Sequence, residues 1–206
     1  MPNEHLVSTP RRTRLTPEAR KQAILDAAQA HFSAQPFPAV SVSAIAEDTG
    51  VSVALVHKYF QSKNGLFATV LRTWLLSIEY RQDQQVAALA EGAAKQDQVT
   101  AFLHGYLHGL AQLPSDTARH HVVHGHDDAD ANRLRAEFRQ RGVEKLQAIV
   151  QPNDSSHDAY ALTAALGALR AVAGKWAERG CPEQDFHTCT GVLIDGLRGS
   201  LGDWQR

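Results

Sequence analysis

Apolar residues recur along this chain every three to four positions, and the breaks fall where helix-ending residues stand. Behind Thr16-Pro17-Glu18, which supplies a hydroxyl cap, a proline at the first helical position and an acid in the first turn, come Ile24, Ala27, Ala28, His31 and Phe32. That spacing predicts a first helix up to Pro36 and Pro38. Ser41 is placed to cap a second, short helix with Val42, Ile45 and Ala46 inward, and Gly50 ends it because its backbone is free to take a positive φ. Ser52 caps a third helix, which runs to about Phe60. Gln61-Ser62 then opens a long fourth, with Leu66, Phe67, Val70, Leu71, Trp74, Leu75 and Ile78 on one side.

The second part of the chain keeps the helical period. Val99 to Leu113 carries apolar residues at helical spacing and stops at Pro114. Leu134, Phe138, Leu146 and Ile149 mark another helix ending before Pro152. Ser155 caps one over 156–179, and Pro182 opens a last one with Phe186, Leu193, Ile194, Leu197 and Leu201 inward. No alternating strand pattern, Asn-Gly or Asp-Gly hairpin signal, or internal repeat is present. The expected fold is all-α: an arm over 1–15, a three-helix unit over 16–63 and a larger helical domain over 64–206.

Composition adds limits. The 206 residues are 43% hydrophobic, 21% charged and 7% aromatic, which excludes a disordered or low-complexity chain. The longest apolar candidate, Ala159 to Leu169, is too short to span a bilayer and is followed by Arg170. The N-terminal stretch lacks the apolar core of a secretory signal, so a soluble, cytoplasmic protein with no membrane partner is expected. The net charge of -1 hides a split. Residues 1–63 hold seven Lys or Arg against five Asp or Glu, whereas 64–206 hold fourteen against seventeen. Arg11, Arg12 and Arg14 precede any hydrophobic periodicity and read as a basic arm, or as a solvated tail.

Two short helices joined across Thr49-Gly50-Val51 have the spacing of a helix-turn-helix, whose second helix enters the DNA major groove. A plain three-helix packing motif has the same spacing. Further residues separate the two readings. Val42 to Leu71 resembles the TetR family of bacterial transcriptional regulators, most closely in Ile45-Ala46-Glu47, Gly50-Val51-Ser52, Tyr59-Phe60, Ser62-Lys63 and Leu66-Phe67. The resemblance covers roughly 50 residues from the first helix onward; beyond it only length and helical layout agree. It implies a homodimer with an N-terminal DNA-binding domain and a C-terminal domain that dimerises and holds a small-molecule pocket.

The same resemblance places Ser41, Ser43, Ser52, His57, Lys58, Tyr59 and Lys63 where the family contacts DNA. Hydroxyls and backbone N–H groups at helix N-termini suit phosphate, and Lys63 supplies a point charge at the start of the fourth helix. Val53, Ala54 and Leu55 are expected on the exposed front of the recognition helix, against thymine methyl groups. For Phe60 the expectation is core packing, and for Tyr59 it is DNA contact. Three positions depart from the family pattern: His57 stands where tyrosine is usual, Leu55 where a small polar residue is frequent, and Ser43 where arginine is frequent. Phosphate clamping is then expected to be weaker or to depend on pH, with Arg11, Arg12 and Arg14 as the compensating cations.

The remaining constellations are less specific. Eleven histidines include His120, His121, His124 and His126 beside Asp127, Asp128 and Asp130, in what reads as a loop. A metal-binding module or metal-dependent enzyme on this loop is the rival reading, although the spacing matches no metal-site signature. No nucleophile elbow, phosphate-binding glycine loop or HExxH is present, so neither enzymatic activity nor a cofactor is expected. Cys181 and Cys189 read as reduced thiols with only Arg179 nearby in sequence.

Two expectations concern the C-terminal domain. Residues 99–113 contain no Asp, Glu, Lys or Arg and so belong on a helix buried on every face. His104 and His108 project opposite the main apolar stripe, flanked by Ala101, Gly105 and Ala111, as if small residues left room for a ligand. Trp74, Phe102, His104, Tyr106 and His108 are the candidate lining of a pocket for a mostly apolar effector; core histidines or solvent-facing ones fit the same pattern. In the last two helices, small residues such as Ala161, Ala164, Gly167 and Ala168 permit close helix approach. With the family resemblance this predicts a four-helix dimer interface through Leu162, Ala165, Leu169, Leu193 and Leu197. The expected function is a ligand-responsive repressor, bound as a homodimer to a pseudo-palindromic double-stranded DNA operator and released by a small-molecule effector.

Overall fold

The computed structural model describes residues 16–125, 128–151 and 156–201. Within them the chain is all helix: α1 (Pro17–Ala34), α2 (Val42–Asp48), α3 (Val53–Phe60), α4 (Lys63–Ala87), α5 (Lys95–Ala111), α6 (Asp116–Val123), α7 (Ala129–Val150), α8 (Ser156–Glu178) and α9 (Phe186–Leu201). Short 3-10 turns at Phe37–Ala39 and Glu183–Asp185 precede α2 and α9. No described helix is long and apolar enough to cross a membrane.

The predicted caps are formed. Thr16, Ser41, Ser52 and Ser62 each accept the backbone N–H three residues on, from Ala19, Ala44, Leu55 and Gly65, at 3.1–3.4 Å. The apolar residues expected on α4, from Leu66 to Ile78, are all buried. Three differences have local causes. The helix predicted over 99–113 starts earlier, at Lys95, because its first turn lies where polar residues remain exposed or half-buried. A 3-10 turn follows Pro182, so α9 begins only at Phe186. Of the histidine-rich segment read as a loop, His120 and His121 belong to helix α6, which is capped by Ser115, whose Oγ accepts the Ala118 N–H at 3.0 Å and donates to the Ser33 carbonyl at 2.5 Å. Ser155 and Pro152 lie outside the described residues.

The core is continuous. Phe32, Phe37 and Phe67 join α1, the first 3-10 turn and α4 with ring centroids 5.0–5.9 Å apart. The buried cluster continues through Trp74, Leu107 and Leu162 to Leu197. Since α4 begins at Lys63, at the expected domain division, its first turns pack on α1 and its later turns on α5 and α7.

The most extensive helix pair is α4 with α5, and glycine sets its distance. A Cβ built on Gly105 would lie 2.4 Å from the Gln82 Cα, and one on Gly109 would lie 2.9 Å from the Ile78 Cα. Only hydrogen fits there. An exposed helical Gly→Ala change stabilises by about 1 kcal/mol, whereas Gly105→Ala is expected to destabilise by about 1–3 kcal/mol through overpacking. Urea unfolding decides between the signs, and a rise in midpoint would refute the close contact.

Candidate functional site

The first candidate surface is built by α2, α3 and the start of α4. Gly50 takes φ +64°, the Val51 N–H donates to the Ala46 carbonyl at 3.0 Å, and the Thr49 hydroxyl donates to the Ile45 carbonyl at 2.9 Å. These bonds close the turn between α2 and α3. Along α3, Val56 and Phe60 are buried and Val53 is half-buried against the core, an i, i+3, i+7 stripe. Val53 is therefore turned inward instead of standing on the front, because it shares the face of Val56. Ala54, His57 and Lys58 are exposed and Leu55 is half-exposed; Ser41, Ser43 and Ser52 are exposed beside them.

Two aromatic expectations resolve differently. Phe60 is core. Tyr59 is half-buried, meets Phe60 edge-on at 6.4 Å, and lines a cleft with Lys21, Arg72 and Arg133, so its ring is shared between core and surface. The His57 Nδ1 lies 3.2 Å from the carbonyl oxygen of Gln61, which has φ +65° at the bend into α4.

Lys63 is the first residue of α4. Its Nζ donates to the Pro38 carbonyl at 3.2 Å and sits 4.6 Å from the centre of the Phe37 ring. Burial lowers the pKa of this ammonium. The adjacent helix end adds partial positive charge, so an arriving anion would be stabilised by both. The capping hydroxyls of Ser41, Ser52 and Ser62 accept from the backbone and keep their own O–H to donate. Chemically this is a rim of hydroxyl and ammonium donors suited to phosphate, beside the exposed Ala54 and half-exposed Leu55. Arg11, Arg12 and Arg14 lie outside the described residues.

The second candidate site is a cavity of about 40 Å³ between α4, α5, α7 and α8. Leu75, Phe102, Phe138, Leu166 and Leu169 form its apolar walls, and Gln82, Tyr106, Arg135, Arg139 and Arg170 supply polar groups. It adjoins a groove of about 570 Å³ between α7 and α8, and Val123, Arg139, Leu166 and Arg170 line both. Tyr106 is buried, and burial pushes its phenol up to about 12, with the charges of Arg170 and Arg139 acting against that rise.

Phe102 and Tyr106 thus line the cavity, but Trp74, His104 and His108 do not. The Trp74 ring stacks on His121 at 6.2 Å. The room expected beside the two histidines is absent, since α4 backbone fills the space over Gly105. His104 and His108 turn instead toward α9, with ring centroids 4.8 and 4.4 Å from Phe186, and His108 is exposed. Burial, followed by the neighbouring His108 and His187, lowers the pKa of His104.

The residues expected at a dimer interface need a similar correction. Leu162, Leu169, Leu193 and Leu197 are buried within the single chain, and Ala165 is half-buried against the same core. The apolar period correctly marks a covered face; its cover is the chain's own bundle. The faces left open carry Tyr160, Ala164, Gly167, Ala168 and Ala171 on α8 and Val192, Gly196 and Gly199 on α9.

The histidines and aspartates of the cluster have different surroundings, although the His120 and His124 rings lie 5.0 Å apart and line a groove with His121. His121 is buried edge-on to Phe67 at 5.1 Å, with Nε2 3.4 Å from the Gln35 carbonyl oxygen. The Asp128 carboxylate accepts the Ala131 N–H at 2.9 Å and the Asn64 amide at 2.7 Å, while Asp130 accepts from Arg133. His126 and Asp127 lie outside the described residues. Among the described residues no group of three or more His, Cys, Asp or Glu could hold a metal. Cys181 and Cys189 are free thiols that burial pushes up in pKa, the reverse of an activated cysteine.

Comparison with known proteins follows the same division. Residues 24–70 match the family model described as bacterial regulatory proteins, tetR family. The chain is 37% identical over 84 residues to the HTH-type transcriptional regulator BetI of Rhizobium meliloti (strain 1021), a stretch covering 41% of this chain and 40% of that relative's length. A TetR-like transcriptional regulator from Rhodococcus sp. RHA1 has a similar fold, with TM-score 0.68 and 23% identity over 92% of this chain and all of the other. So has the transcriptional regulator FadR from Bacillus subtilis, solved in complex with stearoyl-CoA, with TM-score 0.65 and 14% identity over 88% of this chain and 97% of that one.

Alongside the cavity, α4 and α7 are clamped by charge. Arg141 donates to both Glu79 oxygens at 3.0–3.1 Å, and Lys145 reaches Glu79 at 3.2 Å and Asp83 at 2.5 Å. Burial alone would raise the Glu79 carboxyl, but the bonds from Arg141 and Lys145 outweigh it and hold the pKa below its ordinary 4.5. A carboxyl depressed on folding stabilises above its unfolded pKa and loses that effect as pH falls through the folded value. Glu79→Gln is thus expected to cost no more than about 1 kcal/mol at neutral pH, Arg141 being solvent-screened. In urea unfolding the gap to the unmodified protein should narrow as pH falls below the ordinary carboxyl value of 4.5 and through the lowered folded value; a gap constant on acidification would disprove the ionic contribution.

Proposed function

Through its N-terminal domain the chain belongs to the TetR family of bacterial regulatory proteins, and from that premise we infer that it is a ligand-responsive transcriptional repressor. In this reading it binds a pseudo-palindromic operator as a homodimer and leaves it when a small molecule enters the cavity. The observation that carries the reading is α4. One 25-residue helix, Lys63–Ala87, begins in the phosphate-binding rim and ends beside the cavity, to which it contributes Leu75 and Gln82.

Side-chain bonds support coupling between the two ends. Asn64 at the start of α4 is bonded to the Asp128 cap of α7, and α7 lines the cavity through Arg135, Phe138 and Arg139. Arg135 donates to the His121 carbonyl on α6, and the His121 ring reaches the end of α1 at Gln35. A ligand that binds better when α7 stands away from α4 would shift the population toward a state with altered recognition-helix spacing. FadR, of similar fold, is in complex with stearoyl-CoA, which supports a small-molecule effector here. The metal-centred alternative is not favoured, because no group of three or more His, Cys, Asp or Glu among the described residues could hold a metal.

A mobility shift with the DNA upstream of the protein's own reading frame tests operator binding. Lys63→Ala is expected to weaken binding to all sequences alike and to reduce the salt slope by about 0.9 for each phosphate that Lys63 neutralises. Unchanged affinity and slope would remove Lys63 from the interface.

Homodimerisation is assigned to the open faces of α8 and α9, where glycine and alanine allow close helix approach. Val192→Arg, at an exposed position, is expected to give a folded monomer with weakened operator binding. Leu193→Arg, at a buried position, should instead unfold the chain. Light scattering with circular dichroism separates these outcomes, and a folded Val192→Arg dimer would move the interface elsewhere.

A further inference from the structure

The polar groups at the cavity are unusual for a site that takes a neutral apolar molecule. Tyr106 is 7% exposed and its hydroxyl has no hydrogen-bond partner among the described residues, although it lines the cavity. A buried hydroxyl without a partner carries a desolvation cost that a bound acceptor would relieve. Arg139 on α7 and Arg170 on α8 stand where cavity and groove meet, and neither has a bonded acid among the described residues. Tyr106, Arg139 and Arg170 line this one cavity together. Arg135, by contrast, is committed: its guanidinium donates to the His121 carbonyl and to Asn132 Oδ1.

Resting on the reading of this cavity as the effector site, we propose that it takes a small organic carboxylate, with its apolar body among Phe102, Phe138 and Leu169 and its carboxylate held by Arg139, Arg170 and the Tyr106 hydroxyl. Two guanidinium groups and a phenol offer donors that strengthen against negative charge. A neutral ligand would leave the cations unanswered, and a cationic one would be repelled. At about 40 Å³ the cavity is smaller than the roughly 150 Å³ that accommodates benzene. The ligand's body therefore extends toward the adjoining groove and parts α7 from α8. Arg139 and Arg170, one on each of those helices, then meet through a shared anion.

Calorimetric titration of the full chain tests the class of ligand, using benzoate and octanoate against benzyl alcohol and 1-octanol. Each carboxylate is expected to bind at least about ten-fold more tightly than its alcohol. The double variant Arg139→Gln with Arg170→Gln should lose that preference. Both arginines are exposed, so the variants should fold, and Arg170→Lys should retain part of the preference. Alcohols binding as tightly as carboxylates, or a preference that survives in the double variant, would overturn the proposal. If alcohols then still displace operator DNA, the effector-site reading stands without the anion. If no probe of either class binds a protein that retains its DNA, both readings fall.

Discussion

The contact between α4 and α5 at backbone distance is the constraint on which the rest of the structure depends. Gly105 and Gly109 let two helix backbones touch where side chains ordinarily separate them, so α5 cannot move laterally without opening a void along α4. The pair acts as a fixed wall. In the proposed response motion falls to α7 and α8: a small cavity lies between them and that wall, and an ionic clamp joins α7 to α4. Charge clamps yield to ligands more readily than interdigitated glycines, because water can replace each partner.

The junction between the two halves has the same division of labour. Packing of Phe67 on Phe32 and Phe37 holds α4 to the N-terminal helices. Directional polar bonds, from Asn64 to Asp128, from Ser115 to Ser33 and from Arg135 to His121, set the angle at which α6 and α7 approach. Apolar packing resists separation yet tolerates small slides, whereas a hydrogen bond breaks within about an ångström of displacement. Such bonds give the junction a discrete arrangement.

Much of this was legible in the residue pattern. The caps at Thr16, Ser41 and Ser52, the buried stripe of α4 and the turn at Gly50 follow from local chemistry, which a sequence carries directly. Four features were not legible, each for a physical reason. Periodicity cannot tell whether a small residue leaves a gap or admits a neighbouring backbone, so Gly105 reads as the edge of a pocket. It marks Leu193 and Leu197 as covered without saying by what, so core reads as interface. Arg139 and Arg170 look like solvated helix charges until α7 and α8 are brought together. The α6 helix is hidden by its polar composition, although Ser115-Asp116 carries an ordinary helix start.

Lys63 has a consequence for timing. Its chain is tethered within the protein itself, to the Pro38 carbonyl, and laid over the Phe37 ring. A lysine in water explores many rotamers, and freezing them opposes association by about 0.5–1.5 kcal/mol for each flexible side chain. Here most of that ordering is done when the chain folds. The same tether also sets a competition: any anion that draws the ammonium outward must replace a carbonyl and a π face, so in the proposed complex the grip would be quick to form yet easily surrendered. A regulator that must scan long stretches of polyanion before stopping gains from contacts of that kind.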